Sequence, residues 1–201
     1  MAMLVTGGTR SGKSLFAEQL AMRLGKKGIY IATSRIWDEE MAERVNRHQQ
    51  SRGAGVFEWE TVEEPLDLAE LLEKQAQAAA AVASAGEQPP VVLVDCLTLW
   101  LTNALMAAEE QAGQPGKEAD EQLHRQTEML IEAIAAYPYP LVLVTNEVGA
   151  GIVPAYPMGR KFRDEAGRLN QRVAAVCDKV FLVTAGIPIE LKAAAFRWEQ
   201  L

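Results

Sequence analysis

Met3-Leu4-Val5-Thr6 runs straight into Gly7-Gly8-Thr9-Arg10-Ser11-Gly12-Lys13-Ser14, and the helix-forming stretch Leu15-Phe16-Ala17-Glu18-Gln19-Leu20 follows. A short apolar strand, a loop with glycines at this spacing and a helix in direct succession leave few folds open. The pattern Gly, four residues, Gly-Lys-Ser/Thr in that setting is a phosphate-binding loop. Backbone N–H groups can curl around an anion only where side chains do not obstruct them, which is why glycines flank the turn. Lys13 adds a mobile positive charge, the Ser14 hydroxyl is placed for a nucleotide-bound Mg²⁺, and the helix N-terminus adds its partial positive charge. An ordinary glycine-rich turn is the plain alternative, and the flanking strand and helix favour nucleotide phosphate. The loop defines a ligand class and no reaction.

Beyond the loop, strands and helices alternate. A helix over 14–24 is followed by the apolar strand 29–33, a helix over 38–50 and a glycine-rich break at 51–55. A short edge strand at 56–62 comes next, then a long helix beginning at Pro65 with Leu66, Leu68, Leu71 and Leu72 on its buried side. The strand 91–95, a buried helix 97–106, a polar loop 107–118 and a helix 120–136 continue the pattern. A strand 141–145, a helix 159–176 and a strand 180–184 close it. Strands that are apolar throughout are buried on both faces, so the expectation is an α/β, P-loop NTPase-like fold with a mostly parallel sheet covered by helices on both sides. In such sheets ligands bind at the carboxyl ends of the strands, where the phosphate loop, Thr33 with Ser34, Asp95, and Asn146 with Glu147 all converge.

Composition bounds the partners. A chain of 201 residues, 49% hydrophobic and 23% charged, is expected to form one nucleotide-binding domain over 1–201. Its formal charge of −7 leaves no broad basic surface for nucleic acid, and the local positive clusters, Arg10 with Lys13 and the stretch 160–172, suit a small anion in one pocket. Cys96 and Cys177 lack ligand-like spacing and read as buried reduced thiols. The chain opens directly into strand and loop, so no signal peptide is expected, and the longest apolar run, 78–83, is too short to span a bilayer. A reducing, cytoplasmic setting is expected.

Asp95 ends the run Val91-Val92-Leu93-Val94. A carboxylate there either caps the next helix or, paired with a phosphate loop, serves Mg²⁺ through a water. His124 reads as solvated surface with no evident partner. His48 shares a helical face with Met41 and Val45 and, from spacing alone, reads more readily as a core residue. Its flanks Arg44, Arg47 and Arg52 suit a triphosphate and favour the neutral, nucleophilic imidazole by like-charge repulsion. Over 160–176, Phe162, Ala166, Leu169, Val173 and Val176 form a buried stripe. The opposite face carries Arg163, Asp164, Arg168, Asn170 and Gln171, either a solvated surface with pairs such as Arg160 with Asp164 or a substrate-facing one.

Taken in order, these motifs resemble the bifunctional adenosylcobinamide kinase/adenosylcobinamide-phosphate guanylyltransferase family of cobalamin biosynthesis. The resemblance rests on Val5-Thr6-Gly7-Gly8-Thr9-Arg10-Ser11-Gly12-Lys13-Ser14, on Tyr30-Ile31-Ala32-Thr33-Ser34, and on Asp38-Glu39-Glu40-Met41 with Glu43-Arg44-Val45-Asn46-Arg47-His48. It extends through Val94-Asp95-Cys96-Leu97-Thr98, Val144-Thr145-Asn146-Glu147-Val148-Gly149, Phe162-Arg163-Asp164 and Gly167-Arg168-Leu169-Asn170-Gln171. It implies phosphorylation of adenosylcobinamide by ATP or GTP, then transfer of GMP from GTP to adenosylcobinamide phosphate through a guanylylated histidine that maps to His48. It further implies nucleotide contacts from Thr33, Ser34, Arg35, Arg52 and Glu63, a RecA-like sheet and a homotrimer. Two alternatives stay open on the residues themselves: another P-loop small-molecule kinase, and a non-enzymatic nucleotide-binding switch or motor. The absence of an Asn-Lys-x-Asp motif and the acidic balance count against the latter.

Overall fold

A computed structural model describes residues 1–34 and 57–197. The helix expected over 38–50, the break at 51–55, and Arg35, His48 and Arg52 lie outside the described residues. Seven strands, β1 (Ala2–Thr6), β2 (Lys27–Ala32), β3 (Glu58–Glu63), β4 (Val91–Asp95), β5 (Leu141–Val144), β6 (Lys179–Thr184) and β7 (Ile187–Glu190), form one sheet in the order β3-β2-β4-β5-β1-β6-β7. Every pairing is parallel except that of β6 with β7. The described helices are α1 (Lys13–Leu24), α2 (Leu68–Ser84), α3 (Leu97–Gln111), α4 (Lys117–Ala136), α5 (Pro157–Val176) and α6 (Leu191–Ala194).

The uninterrupted apolar strands have the expected cause. Alternate residues serve two cores. Leu4, Ile31, Val92, Val94, Leu141 and Leu143 face a layer built by α2, α3, α4 and α5, with Leu68, Leu72, Trp100, Leu130 and Val173 among its members. Val5, Tyr30, Leu93, Val142, Val144 and Val183 face the other way, onto Ala17 and Ala21 of α1. A strand with period-two side chains and cover on both faces has no polar position to offer.

The structure corrects several boundaries. The helix expected from Pro65 begins at Leu68, because the Glu64 carboxylate accepts hydrogen bonds from the Leu66 and Asp67 amides and holds a turn there instead. Much of the polar loop expected over 107–118 is helical: α3 runs on to Gln111 because Ala-Ala-Glu-Glu-Gln propagates a helix and Ala108 is buried, and α4 already starts at Lys117. The edge strand is β3, whose exposed, charged alternation blunts that rim of the sheet. The hairpin strand β7 and the short α6 had no expectation at all. Ala185 and Gly186 both take positive φ, 51° and 78°, in the two-residue turn, and an alanine there conceals the usual Asn-Gly or Asp-Gly signal. Pro188 is tolerated because β7 is an edge.

Candidate active site

The phosphate loop leaves β1 at Thr6 and enters α1 at Lys13. Its glycines answer two separate demands. A Cβ on Gly7 would lie 2.4 Å from the Val183 carbonyl oxygen and 2.7 Å from Ser11 Oγ, so the loop's first residue presses against β6. Gly12 takes φ 94°, and Arg10 is also left-handed at 57°. The Gly186 amide donates to the Ser11 carbonyl at 2.8 Å, which braces the loop from the β6–β7 turn. Nothing lies within 4 Å of a Cβ built on Gly8, so the cradle is open at that point.

The helix behind the loop is prepared for an anion. Its N-cap, Gly12, has no side chain to cap with, and the first turn holds no acidic residue, so its leading amides have no intramolecular counter-charge. Thr6 Oγ1 and Ser11 Oγ are both buried without a hydrogen-bond partner. Lys13, only 9% exposed, folds its Nζ back onto the Gly8 carbonyl at 3.1 Å. Burial pulls its pKa down, with Cys96 and Asp95 across the site pulling it up. A bound phosphate would meet a desolvated ammonium, orphaned hydroxyls and unpaired amides together.

Asp95 ends β4 at the same level as the loop. Val144 of β5 stands opposite Val5 of β1 on one side and Asp95 on the other, so a single strand separates loop from carboxylate. Asp95 Oδ2 accepts from the Tyr30 hydroxyl at 3.0 Å. The N-cap of α3 is Cys96, with no side-chain cap bond, so Asp95 is not there as a helix cap. Ser14 sits half-buried in the first turn of α1.

Thr33 follows β2 and is fully buried. Its Oγ1 donates to the Cys96 carbonyl at 2.7 Å and accepts from the Cys96 amide at 2.9 Å, a clasp between the ends of β2 and β4. Ser34 is half-buried beside it, and Glu63, exposed at the end of β3, lies opposite Ala32. Asn103 is buried and ties this end together, donating to the Thr33 carbonyl at 2.8 Å and the Pro65 carbonyl at 3.1 Å. Sequence alone assigns no site role to Asn103 or to Tyr30, although Tyr30 opens one of the family motifs; the one available signal for Asn103 was an amide inside an apolar helix.

On β5 the strand geometry continues past its last residue. Asn146 and Glu147 are held there by a buried network: Thr145 Oγ1 donates to Asn170 Oδ1 at 2.8 Å and lies 3.3 Å from Thr98 Oγ1, the Asn146 amide donates to Thr98 Oγ1 at 2.8 Å, and Asn170 Nδ2 donates to the Asn146 carbonyl at 3.1 Å. The polar face of α5 is thus partly structural. Arg163 reaches the Gly149 carbonyl, and Arg160 turns back to the carbonyls of Pro154 and Ala155 where a pair with Asp164 was expected.

His124 is exposed as expected but does have a partner, Glu128 Oε1 at 3.3 Å. Both line a cavity of about 450 Å³ between α3, α4 and α5, in which Glu128 also pairs with Arg172 and Glu165 with Arg168. No phosphate-loop residue lines it, and these charges neutralise one another. Cys96 and Cys177 are buried and free, and burial pushes each thiol up to about 12.

Loop, lysine and carboxylate on neighbouring strand ends of a parallel sheet define a nucleotide-binding protein of the P-loop NTPase type. Sequence comparison narrows the class. The model of the CobU family, described as cobinamide kinase / cobinamide phosphate guanyltransferase, matches residues 3–191. The bifunctional adenosylcobalamin biosynthesis protein CobP of Pseudomonas aeruginosa is 40% identical over 192 residues, covering 96% of this chain and 98% of that protein. The bifunctional adenosylcobalamin biosynthesis protein CobU of Escherichia coli is 42% identical over 195 residues, and that of Salmonella typhimurium 41% over 200, each across 96% of this chain and 100% of the relative. The chain belongs to the cobinamide kinase/cobinamide phosphate guanyltransferase family, a family of bifunctional enzymes.

Proposed function

We propose that this chain carries both reactions of its family in one nucleotide-binding domain: phosphorylation of adenosylcobinamide by ATP or GTP, then transfer of GMP from GTP to adenosylcobinamide phosphate with release of pyrophosphate. The observation that carries the reading is the loop with its desolvated Lys13, one strand away from Asp95, in a chain that matches the family over residues 3–191.

Phosphoryl transfer asks the protein chiefly for positioning and charge neutralisation. The amides of residues 7–14 cradle the phosphates, and Lys13 exchanges the Gly8 carbonyl for a phosphate oxygen. A nucleotide-bound Mg²⁺ is held mainly by phosphate oxygens and waters and asks the protein for few ligands. The hard oxygens of Ser14 and Asp95 fit such an ion, which when bound neutralises charge on the transferred phosphoryl group. The second reaction uses His48: its neutral imidazole attacks the α-phosphorus of GTP, pyrophosphate leaves, and the P–N bond then yields GMP to the acceptor phosphate. Ser34, Arg35, Arg52 and Glu63 contact the nucleotide while Thr33, expected among them but with its buried hydroxyl committed to Cys96, fixes the strand end beside Ser34; the chain works in the cytoplasm, and it assembles as a homotrimer, which sedimentation of the purified protein would check. No described helix is long and apolar enough to cross a membrane.

The decisive experiment uses GTP labelled at the α-phosphate. Acid-labile, alkali-stable label is expected on the chain and lost in His48→Ala; label that persists in the variant removes His48, and no label on the native chain removes the second reaction. Independently, Lys13→Ala should lower phosphoryl transfer to adenosylcobinamide at least about a hundredfold, the usual scale for losing a preorganised charge contact; near-native turnover would contradict the role given to the loop.

A further inference from the structure

Moving a phosphoryl group onto a hydroxyl releases a proton, and none of the groups placed so far takes it. Lys13 is a cation, Ser14 and Asp95 would hold the metal, and the reading above assigns the His48 imidazole to the guanylyl step. We infer that Glu147 is the general base of the phosphoryl-transfer step, a catalytic residue that accepts the proton of the acceptor hydroxyl; this rests on the two-reaction reading above.

Place is the first argument. β5 lies between the strand that feeds the phosphate loop and the strand that ends in Asp95. Its ladder with β1 continues beyond the strand: the Thr145 amide donates to the Val5 carbonyl at 3.0 Å and the Glu147 amide to the Gly7 carbonyl at 3.1 Å. Glu147 is therefore one strand spacing, about 4.8 Å, from the first glycine of the loop.

Rigidity is the second. The Thr98, Thr145 and Asn170 network fixes the backbone immediately before it, and Arg163 grips the Gly149 carbonyl through Nε at 3.2 Å and Nη2 at 2.6 Å. Glu147 Oε1 lies 3.2 Å from where a Cβ on Gly149 would stand, so the carboxylate rests over a residue that has no side chain to displace it.

Availability is the third. Glu147 is exposed, and among the described residues no hydrogen bond or ion pair engages its carboxylate. The competitors at this end of the sheet are occupied or remote. Asp95 is held by Tyr30, and the Glu64 carboxylate takes the Leu66 and Asp67 amides. Glu63 is on β3, four strand steps from β1 and so about 19 Å away. Cys96, next after Asp95, is buried, with its amide and carbonyl clasped by the Thr33 hydroxyl.

In the step itself the acceptor oxygen attacks the γ-phosphorus, the bond from that phosphorus to the β–γ bridging oxygen breaks, and the nucleoside diphosphate leaves. The hydroxyl proton passes to a Glu147 carboxylate oxygen and from there to solvent. The guanylyl step differs chemically: its acceptor is a phosphate oxyanion, which has no proton to surrender. A base at Glu147 therefore serves one reaction and not the other.

That asymmetry is the test. With the full-length protein, phosphoryl transfer to adenosylcobinamide and GMP transfer to supplied adenosylcobinamide phosphate are measured separately. Glu147→Gln should lower kcat of the first by about 10²- to 10⁴-fold, with nucleotide KM and the second reaction each within about threefold of native. Glu147→Asp, which keeps a base on a shorter arm, should fall between Gln and native. Native-like phosphorylation by the Gln variant overturns the inference, and so does equal loss of both reactions in both variants, which would mark Glu147 as structural. Absence of phosphorylation by the unmodified protein would instead sink the two-reaction reading, and this inference with it.

Discussion

Lys13 combines a charge with burial, and its Nζ donates to the Gly8 carbonyl of its own loop. Burial lowers its pKa from the ordinary value of 10.5. A bound phosphate raises it again, so binding at alkaline pH takes up protons, and nucleotide affinity should fall as pH climbs through the lowered value. A fluorescent nucleotide titrated from neutral to alkaline pH should show that decline in the native protein and a flatter profile in Lys13→Met; identical profiles would refute it. Gly7 makes a sharper demand. Because its Cβ position lies 2.4 Å from a backbone oxygen of β6, Gly7→Ala should destabilise the fold by about 1–3 kcal/mol in urea titrations as well as weaken nucleotide binding. The loop motif was legible in the sequence down to the residue. That Gly7 also serves packing against β6 was not, because Val183 is remote in the chain.

At the scale of elements, the buried side chain of Asn103 joins α3 to the end of β2 and to the turn before α2. Trp100 adds a third tie, its Nε1 donating to the Leu66 carbonyl at 2.9 Å. These bonds lie at both ends of the excursion from Thr33 to Pro65, which contains His48. Asn103→Ala would leave two carbonyls without their donor and should cost about 1–3 kcal/mol, read as a lower urea midpoint with unchanged slope. A variant as stable as native would show that water replaces the amide. Elements with strong periodicity were readable: the five central strands, α1, α4 and the buried stripe of α5 all follow from apolar spacing. The β6–β7 hairpin was not, because its turn uses Ala185 at positive φ and its outer strand exposes Ile187 and Ile189.

Across the whole molecule, one sheet is shared by two cores. Cys96 belongs to the α1 side and Cys177 to the side of α2 to α5. Both thiols are buried and pushed up to about 12, so neither should react with iodoacetamide near neutral pH while the protein is folded. Since every central strand contributes to both cores, the two should become reactive over the same range of urea; one exposed well before the other would show that the layers open separately and that the chain is not one cooperative domain.

The sequence by itself determined the phosphate loop, the parallel doubly covered sheet and the family, because each depends on residues close together in the chain or on motifs in a set order. Only the tertiary structure decided how the strand ends meet. Strand order is a non-local property, and it is what sets β5 between loop and carboxylate, makes Tyr30 the partner of Asp95, turns the Thr33 hydroxyl toward Cys96, and brings Glu147 beside Gly7. Residues 63 to 140 apart in sequence become neighbours through strand pairing, and no local pattern records which strands will pair.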